Sequence, residues 1–198
     1  MFLSRILLTG PSLRNAYEIH RRLWQLFPDP DGQRDFLFQI EAMETGKVWL
    51  LLQSLREPEP ATGLKILQRK HFAPQPVKGQ YLRFRLVANP VKTIRDGQGR
   101  LNRKGEVKSC RVPLIREDEQ RAWLERKLDG VAHLLQVEIE KRPPLYFRKD
   151  QRPGKIQPYL FQGLLQVEDP YRLVEDLLKK GIGPAKAFGC GLMLLKRV

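Results

Sequence analysis

Short apolar runs suited to strands alternate with charged runs suited to helices, and the same order comes round twice in 198 residues. In the first round, residues 2–8 read as a buried strand. Gly10, Pro11 and Ser12 then turn the chain into a helix that reaches about Phe27, where Pro28 stops it. Residues 34–41 and 47–54 are β-rich runs around Thr45 and Gly46, the pattern of a hairpin. Residues 57–67 fit at best a poor helix, because they hold Pro58, Pro60 and Gly63. Residues 80–88 alternate polar and apolar side chains and close the round as a strand.

The second round begins with residues 89–110, rich in Lys, Arg, Gly and Asn, which read as an exposed loop. A helix over 116–128 places Ala122, Leu124 and Leu128 on its apolar side. Residues 134–147 and 156–167 are strands joined by a basic turn that contains Arg148, Lys149, Asp150, Gln151, Arg152 and Lys155. The last helix, 170–180, has Pro170 at its start and Lys179, Lys180 and Gly181 at its end, as helix termini prefer. A strand over 192–195 follows. Two passes of strand–helix–strand–strand–helix–strand predict an α+β fold of two tandem ferredoxin-like βαββαβ domains, 1–88 and 89–198. A four-stranded sheet backed by two helices is also the architecture of many RNA-binding modules.

The final helix and strand are separated by two Gly-x-Gly pairs, Gly181/Gly183 and Gly189/Gly191, which bracket Pro184 and Lys186. Glycine lets another chain approach the backbone closely. Exposed N–H groups in such a loop can face phosphate oxygens, with Lys186 adding a point charge. Two nucleotide motifs are excluded. A phosphate loop needs Gly-Lys-Ser/Thr opening a helix, whereas Ala187 follows Lys186; the dinucleotide fingerprint needs a third glycine where Lys186 stands. The formal net charge of +14, from 36 Lys plus Arg against 22 Asp plus Glu, points to a polyanionic partner. Charge alone leaves nucleic acid and an anionic membrane surface both open.

Cys110 and Cys190 are far apart and lack Cys-x-x-Cys spacing, which argues against a disulfide framework or structural zinc and for reduced thiols. Residues 1–8 lack the pattern of a signal peptide, and no run approaches the ~18 apolar residues of a membrane span. The expectation is a soluble, cytoplasmic protein with no membrane partner.

On a helical wheel, Ala16, Ile19, Leu23, Leu26 and Phe27 share one face and predict core, while Glu18, Arg22 and Gln25 face water. Tyr17, His20, Arg21 and Trp24 fall on the border, and Tyr17 and His20, three positions apart, are neighbours on one flank. His71 lies in a proline-flanked linker and His133 at a turn before a strand, neither with comparable neighbours. No compact Asp/Glu cluster suited to paired Mg²⁺ stands out, so no metal site and no cofactor is expected.

The glycine pattern 181–191 resembles the signature of the repeat-associated RNA-binding superfamily of CRISPR systems. Residues 14–24 (Arg-Asn-Ala-Tyr-Glu-Ile-His-Arg-Arg-Leu-Trp), 34–38, 88–93, 110–115 and 181–186 together resemble the CasE family, the CRISPR RNA-processing endoribonucleases of type I-E Cascade complexes. The resemblance runs from end to end and is weakest over 56–79. It implies two ferredoxin-like domains and cutting of a repeat RNA at the base of its hairpin without a metal. The upstream 2′-hydroxyl attacks the phosphate and leaves a 2′,3′-cyclic phosphate and a 5′-hydroxyl. It further implies that the enzyme stays on the hairpin as a partner of the other Cascade subunits, and that Tyr17 and His20 serve catalysis.

An imidazole with a pKa near ~6.5 suits proton transfer to the leaving 5′-oxygen or from the 2′-hydroxyl. Tyr17, with a reference pKa near ~10, suits positioning of the phosphate or ribose. Arg21 or a loop lysine is a candidate to neutralise the phosphate in the transition state. RNA-contact candidates are the hairpin residues Arg148, Lys149, Arg152 and Lys155, the loop residues Lys104, Lys108 and Arg111 with Arg103 beside them, and Lys186. The other readings are an RNA-binding scaffold subunit without nuclease activity and a basic protein of a membrane surface or ribosome.

Overall fold

A computed structural model describes residues 1–11, 13, 15–28, 33–102, 104–149 and 152–198, by backbone alone at Lys149 and Arg152. Ser12, Arg14, Arg103, Asp150 and Gln151, which enter the sequence reading, lie outside the described residues.

Strand β1 (Phe2–Thr9) has Ile6 and Leu8 pointing inward, and each finds an apolar partner across the sheet: Leu50 faces Ile6 and Val48 faces Leu8. The hairpin around Gly46 forms as the sequence suggests, with β2 (Phe36–Glu44) and β3 (Lys47–Ser54) joined by a two-residue turn. Gly46 has φ +73°, which such a turn requires. Helix α1 (Ala16–Leu23) tightens into a 3₁₀ turn over Trp24–Leu26. It starts later than the sequence suggests, since Asn15 caps it: the Asn15 side chain accepts a hydrogen bond from Tyr17 N–H at 3.1 Å. The face expected to be core is core; Ala16, Ile19, Leu23, Leu26 and Phe27 are all buried.

The poor helix expected over 57–67 is not helical. Its last residues open strand β4 (Leu64–His71), paired antiparallel to β1 with Ile66 opposite Ile6. Pro58 and Pro60 deny helical hydrogen bonds to the crossing segment. Gly63, at φ +72°, then brings its carbonyl to the Thr9 N–H at 2.8 Å and starts the pairing.

A second departure concerns β5 (Tyr81–Ala88), expected to close the first sheet. It lies in the centre of the second, between β11 (Tyr159–Val167) and β12 (Met193–Arg197), with β8 (Ala132–Lys141) on the far side of β11. Leu82, Phe84 and Leu86 alternate inward and pack with Phe161, Leu165 and Met193 in the second core. The first sheet therefore ends at His71 and the second begins at Tyr81. Both sheets are fully antiparallel, and both have the strand order fourth–first–third–second by chain position.

Residues 89–110 are not an open loop. Strands β6 (Val91–Arg95) and β7 (Ser109–Pro113) form a ribbon whose connection is tied by Asp96 to Arg100 and by Asn102 to Glu106. The long strand expected over 134–147 breaks at Pro143–Pro144. Beyond it, β9 (Leu145–Lys149) and β10 (Arg152–Ile156) make a separate two-stranded hairpin.

Helix α2 (Glu117–Leu128) buries Gln120, Trp123, Leu124 and Leu128 against the second sheet; Ala122 is only half-buried. The inward Gln120 is tolerated because its amide donates to the Leu114 carbonyl at 2.8 Å. The last helix begins as α3 (Pro170–Arg172) and widens to i→i+5 bonding over Leu173–Lys179. Among the described residues no helix is long and apolar enough to cross a membrane.

Gly163 sits in β11 where a Cβ would collide with the backbone carbonyl of Gln136 in β8. Gly163→Ala is expected to lower the unfolding free energy by about 1–3 kcal/mol, measured by urea denaturation. An unchanged midpoint would show that the two strands have slack.

Candidate functional site

Tyr17 and His20 project from the flank of α1 where its buried face meets solvent. The His20 ring packs against Trp24 (6.3 Å between centroids, edge-on) and Phe36 (5.8 Å, tilted). Its Nε2 is closed off from solvent and has no hydrogen-bond partner. Burial, and secondarily the positive charge of Arg34, lower the His20 pKa from 6.5 to about 4. Arg34 was absent from the expected site residues. Its position two residues before Phe36, which touches the imidazole, is a signal visible only once that pairing is known.

Two other segments converge on α1. The hairpin β9–β10 approaches its N-terminus, where the Asn15 amide donates to the Arg148 carbonyl at 3.3 Å. The glycine-rich loop supplies a short 3₁₀ turn, Lys186–Phe188, that also contacts α1. Phe188 of that turn packs against Phe147 of the hairpin, with ring centroids 4.5 Å apart and the planes tilted by 42°. All four expected glycines have positive φ. A Cβ at Gly183 would lie 2.8 Å from the Trp123 ring, and one at Gly189 would lie 3.2 Å from Phe38 of β2. These glycines therefore permit close packing of the loop against both halves of the chain.

The expectation that the loop's glycines expose their N–H groups to phosphate fails at its far end. Gly189 and Gly191 are buried. The Gly191 N–H donates to the Val87 carbonyl of β5 at 2.7 Å, and the Gly191 carbonyl accepts from the Ile182 N–H at 2.9 Å. A Cβ at Gly191 would lie 2.9 Å from the Ile182 carbonyl oxygen, so this glycine closes the base of the loop and faces no ligand. Its role is structural because both of its backbone groups are spent on seating the loop against the second sheet.

Cations gather beside this junction. Arg34, Arg111, Lys127 and Lys186 line an open cleft of about 730 Å³ whose wall is the loop itself. Burial first, then the charges of Arg34 and Lys127, hold Lys186 below its ordinary pKa, so these groups feel one another. Arg111 also lines an adjoining groove of about 520 Å³ with Lys141 and Lys155, which leads toward the hairpin. Lys155 lies 5.8 Å above the Tyr146 ring. Of the expected RNA contacts, the structure thus brings together Arg111, Lys155 and Lys186, with exposed Arg148 close to α1. Lys104 and Lys108 lie exposed on the β6–β7 ribbon. Arg21 turns outward and pairs with Glu18 at 3.2 Å. The side chains of Lys149 and Arg152 lie outside the described set.

The remaining titratable groups sit elsewhere. His71 packs edge-on against Phe2, and His133 Nε2 lies 3.6 Å from Glu168. Cys190 is buried, which pushes its thiol up to about 12, while Cys110 is exposed. Among the described residues no three His, Cys, Asp or Glu side chains converge as a metal site.

Comparison with known proteins supplies the context for this geometry. The family model for CRISPR associated proteins matches residues 1–197. The Cascade subunit CasE of Escherichia coli K12 is 45% identical over 197 residues, 98% of each chain. The crystal structure of Escherichia coli Cas6e superposes with a TM-score of 0.87 at 43% identity, covering all of both chains. The Thermus thermophilus endoribonuclease Cse3 is 33% identical over 220 residues, again 98% of each. Its structure with an RNA representing a pre-cleavage complex matches with a TM-score of 0.74 over 98% of each chain.

In the free protein, proton NMR titration should place the His20 pKa near 4, and Arg34→Gln should raise it. Because the folded pKa lies below the unfolded value, the unfolded chain binds the extra proton first. Stability should therefore grow as pH rises from 4 through 6.5. A His20 titration at its ordinary value in both proteins would contradict this electrostatic picture.

Proposed function

Since the chain belongs to the family of CRISPR associated proteins that includes CasE and Cse3, we propose that it is the endoribonuclease that matures CRISPR RNA. It binds the repeat hairpin of the precursor, cuts at the hairpin base and stays on its product as a subunit of Cascade in the cytoplasm. The observation that carries this reading is the convergence of the His20 flank, the β9–β10 hairpin and the glycine-rich loop beside an open cationic cleft.

RNA brings its own nucleophile. The protein has to hold the 2′-oxygen in line with the scissile phosphate, move two protons and offset the charge that develops. Attack by the 2′-hydroxyl breaks the bond to the 5′-oxygen, giving a 2′,3′-cyclic phosphate and a 5′-hydroxyl, with no metal in the sequence of steps. At pH 7 the imidazole of the free protein is neutral, the form that accepts the 2′-hydroxyl proton. Delivering a proton to the leaving 5′-oxygen requires the imidazolium, which a bound phosphate would favour. Tyr17, one turn away, positions the phosphate or ribose. The hairpin lies along the RNA stem, whose A-form shape and phosphates it reads.

Two ferredoxin-like domains are the domain reading that fits both sheets, which share one strand order. On this reading the passage between the domains lies within residues 72–80, between the last strand of the first sheet and the first strand of the second, and among the described residues no second helix backs the first sheet. A non-catalytic scaffold is the second reading, favoured by the closed-off Nε2 of His20. Catalysis through that atom needs the ring to turn.

Repeat-hairpin RNA should be cut at one site in EDTA, and His20→Ala should slow the cut by about 10²–10⁴-fold while binding persists. Equal rates would favour the scaffold. Reversing charge at Arg148 and Lys155 together should weaken RNA binding and flatten its salt dependence; unchanged affinity would remove the hairpin from the RNA surface.

A further inference from the structure

We propose that Asp35 and Arg56 are positioning residues for the cut: the ion pair between them clamps the aromatic wall against which the His20 ring rests. The inference rests on the endoribonuclease reading above and concerns two residues that act on the imidazole through other side chains.

The clamp is built at one end of the first sheet. Asp35 immediately precedes β2, and the stretch after β3 grips it from several sides. Arg56 Nε donates to Asp35 Oδ2 at 2.9 Å and Arg56 Nη2 donates to Oδ1 at 3.0 Å, a two-pronged pair. The Arg56 backbone N–H reaches the same Oδ2 at 3.2 Å, and the Leu55 N–H donates to the Asp35 carbonyl at 3.1 Å. The Asp35 side chain is 15% exposed and that of Arg56 32%, so water and salt screen the pair less than an open surface pair. Burial alone would raise the Asp35 carboxyl, but the hydrogen bonds and charge of Arg56 outweigh it and hold the group below its usual range.

The grip passes from the ion pair into the rings. The Arg56 guanidinium lies 5.0 Å above the centre of Phe27. Phe27 stacks on Phe36 with centroids 5.3 Å apart and planes 19° from parallel, and Phe36 follows Asp35 in the chain. Asp35, Arg56, Phe27 and Phe36 thus close a circuit that fixes Phe36 both at its backbone and at its ring. Phe36 in turn meets Trp24 edge-on at 5.3 Å and His20 at 5.8 Å. Because Nε2 of His20 has no hydrogen-bond partner, ring packing sets where that nitrogen points. The ring has to turn for catalysis through Nε2, and a wall held at two points defines the position from which it turns.

Charged and titratable groups approach His20 from every element packed against it. Tyr17, Glu18 and Arg21 share α1, Arg34 and Asp35 lead into β2, Lys186 comes from the loop turn and Arg148 from the hairpin. Arg34 shifts the imidazole, and burial shifts it more. The clamp works on that larger cause, by keeping the rings closed around the imidazole.

The test uses the full chain with Arg56→Gln, Asp35→Asn and the two combined, all close in shape to the natural residues. Gly163→Ala serves as a variant that lowers stability from a distant position. In proton NMR of the free proteins, His20 should titrate about one pH unit or more higher in each clamp variant than in the wild type, and unmoved in Gly163→Ala. The combined variant should shift no further than either single one, since each alone opens the same circuit. On repeat-hairpin RNA the single-turnover cutting rate should fall about 10–100-fold at unchanged affinity. The limb of its pH profile that reports His20 should move to higher pH. The proposal is overturned if His20 titrates in the clamp variants where it does in the wild type, if Gly163→Ala moves it as far, or if the two single shifts add. Wild-type protein that leaves the hairpin whole would sink the nuclease reading; wild-type protein that cuts, with a His20 titration indifferent to the pair, sinks the clamp alone.

Discussion

The glycine-rich loop must lie almost against strand β2, and the meeting of the loop, the hairpin and α1 follows from that approach. Side chains at Gly181 and Gly189 would press on Leu37 and Phe38, with Cβ separations of 2.8 and 3.2 Å. The contact between the halves is reinforced by the buried Gln53 amide, which donates to the Leu178 carbonyl at 2.6 Å. With the loop seated there, Phe188 reaches Phe147 and anchors the hairpin, and the hairpin in turn meets the cap of α1. Bulkier residues in the loop would lift it from β2 and disperse the site before touching any catalytic group.

Electrostatics then divides the surface into two kinds. Some exposed bases, Lys92, Arg116, Arg121 and Lys180 among them, sit beside acids in pairs worth little to stability but enough to screen them. The bases around the cleft are left without such partners among the described residues, and a neutral imidazole sits at their edge. The chemistry proposed for the chain needs that arrangement. A polyanion that brings its own nucleophile supplies the missing negative charge, and its arrival alters the imidazole it is meant to meet.

What the sequence disclosed was what local periodicity controls. The buried stripe of α1 was legible because 3.6-residue spacing leaves only one face for Ile19, Leu23 and Leu26. Gly46 marked its hairpin and Pro170 its helix start. The placement of β5 was hidden, because alternation of Leu82, Phe84 and Leu86 declares a strand but not its neighbours. Residues 64–71 were obscured by the prolines before them. In α2 the apolar stripe was too thin to show that Trp123, and not Ala122, turns inward. The two Gly-x-Gly pairs look alike in sequence, yet Gly191 is sealed against β5 while Gly183 stands in the cleft wall, a difference made by tertiary packing alone. Arg34 had no periodic signal at all; its importance comes from a tertiary neighbour, His20, fourteen residues earlier in the chain.

The most direct test of the account replaces the ribonucleotide before the scissile bond with its 2′-deoxy counterpart in an otherwise intact repeat hairpin. The substituted RNA should bind as tightly as the natural one and stay whole, while the natural RNA yields ends bearing a cyclic phosphate and a 5′-hydroxyl. Cutting of the deoxy-substituted RNA at the same position and rate would contradict self-attack by the RNA and, with it, the role assigned to His20.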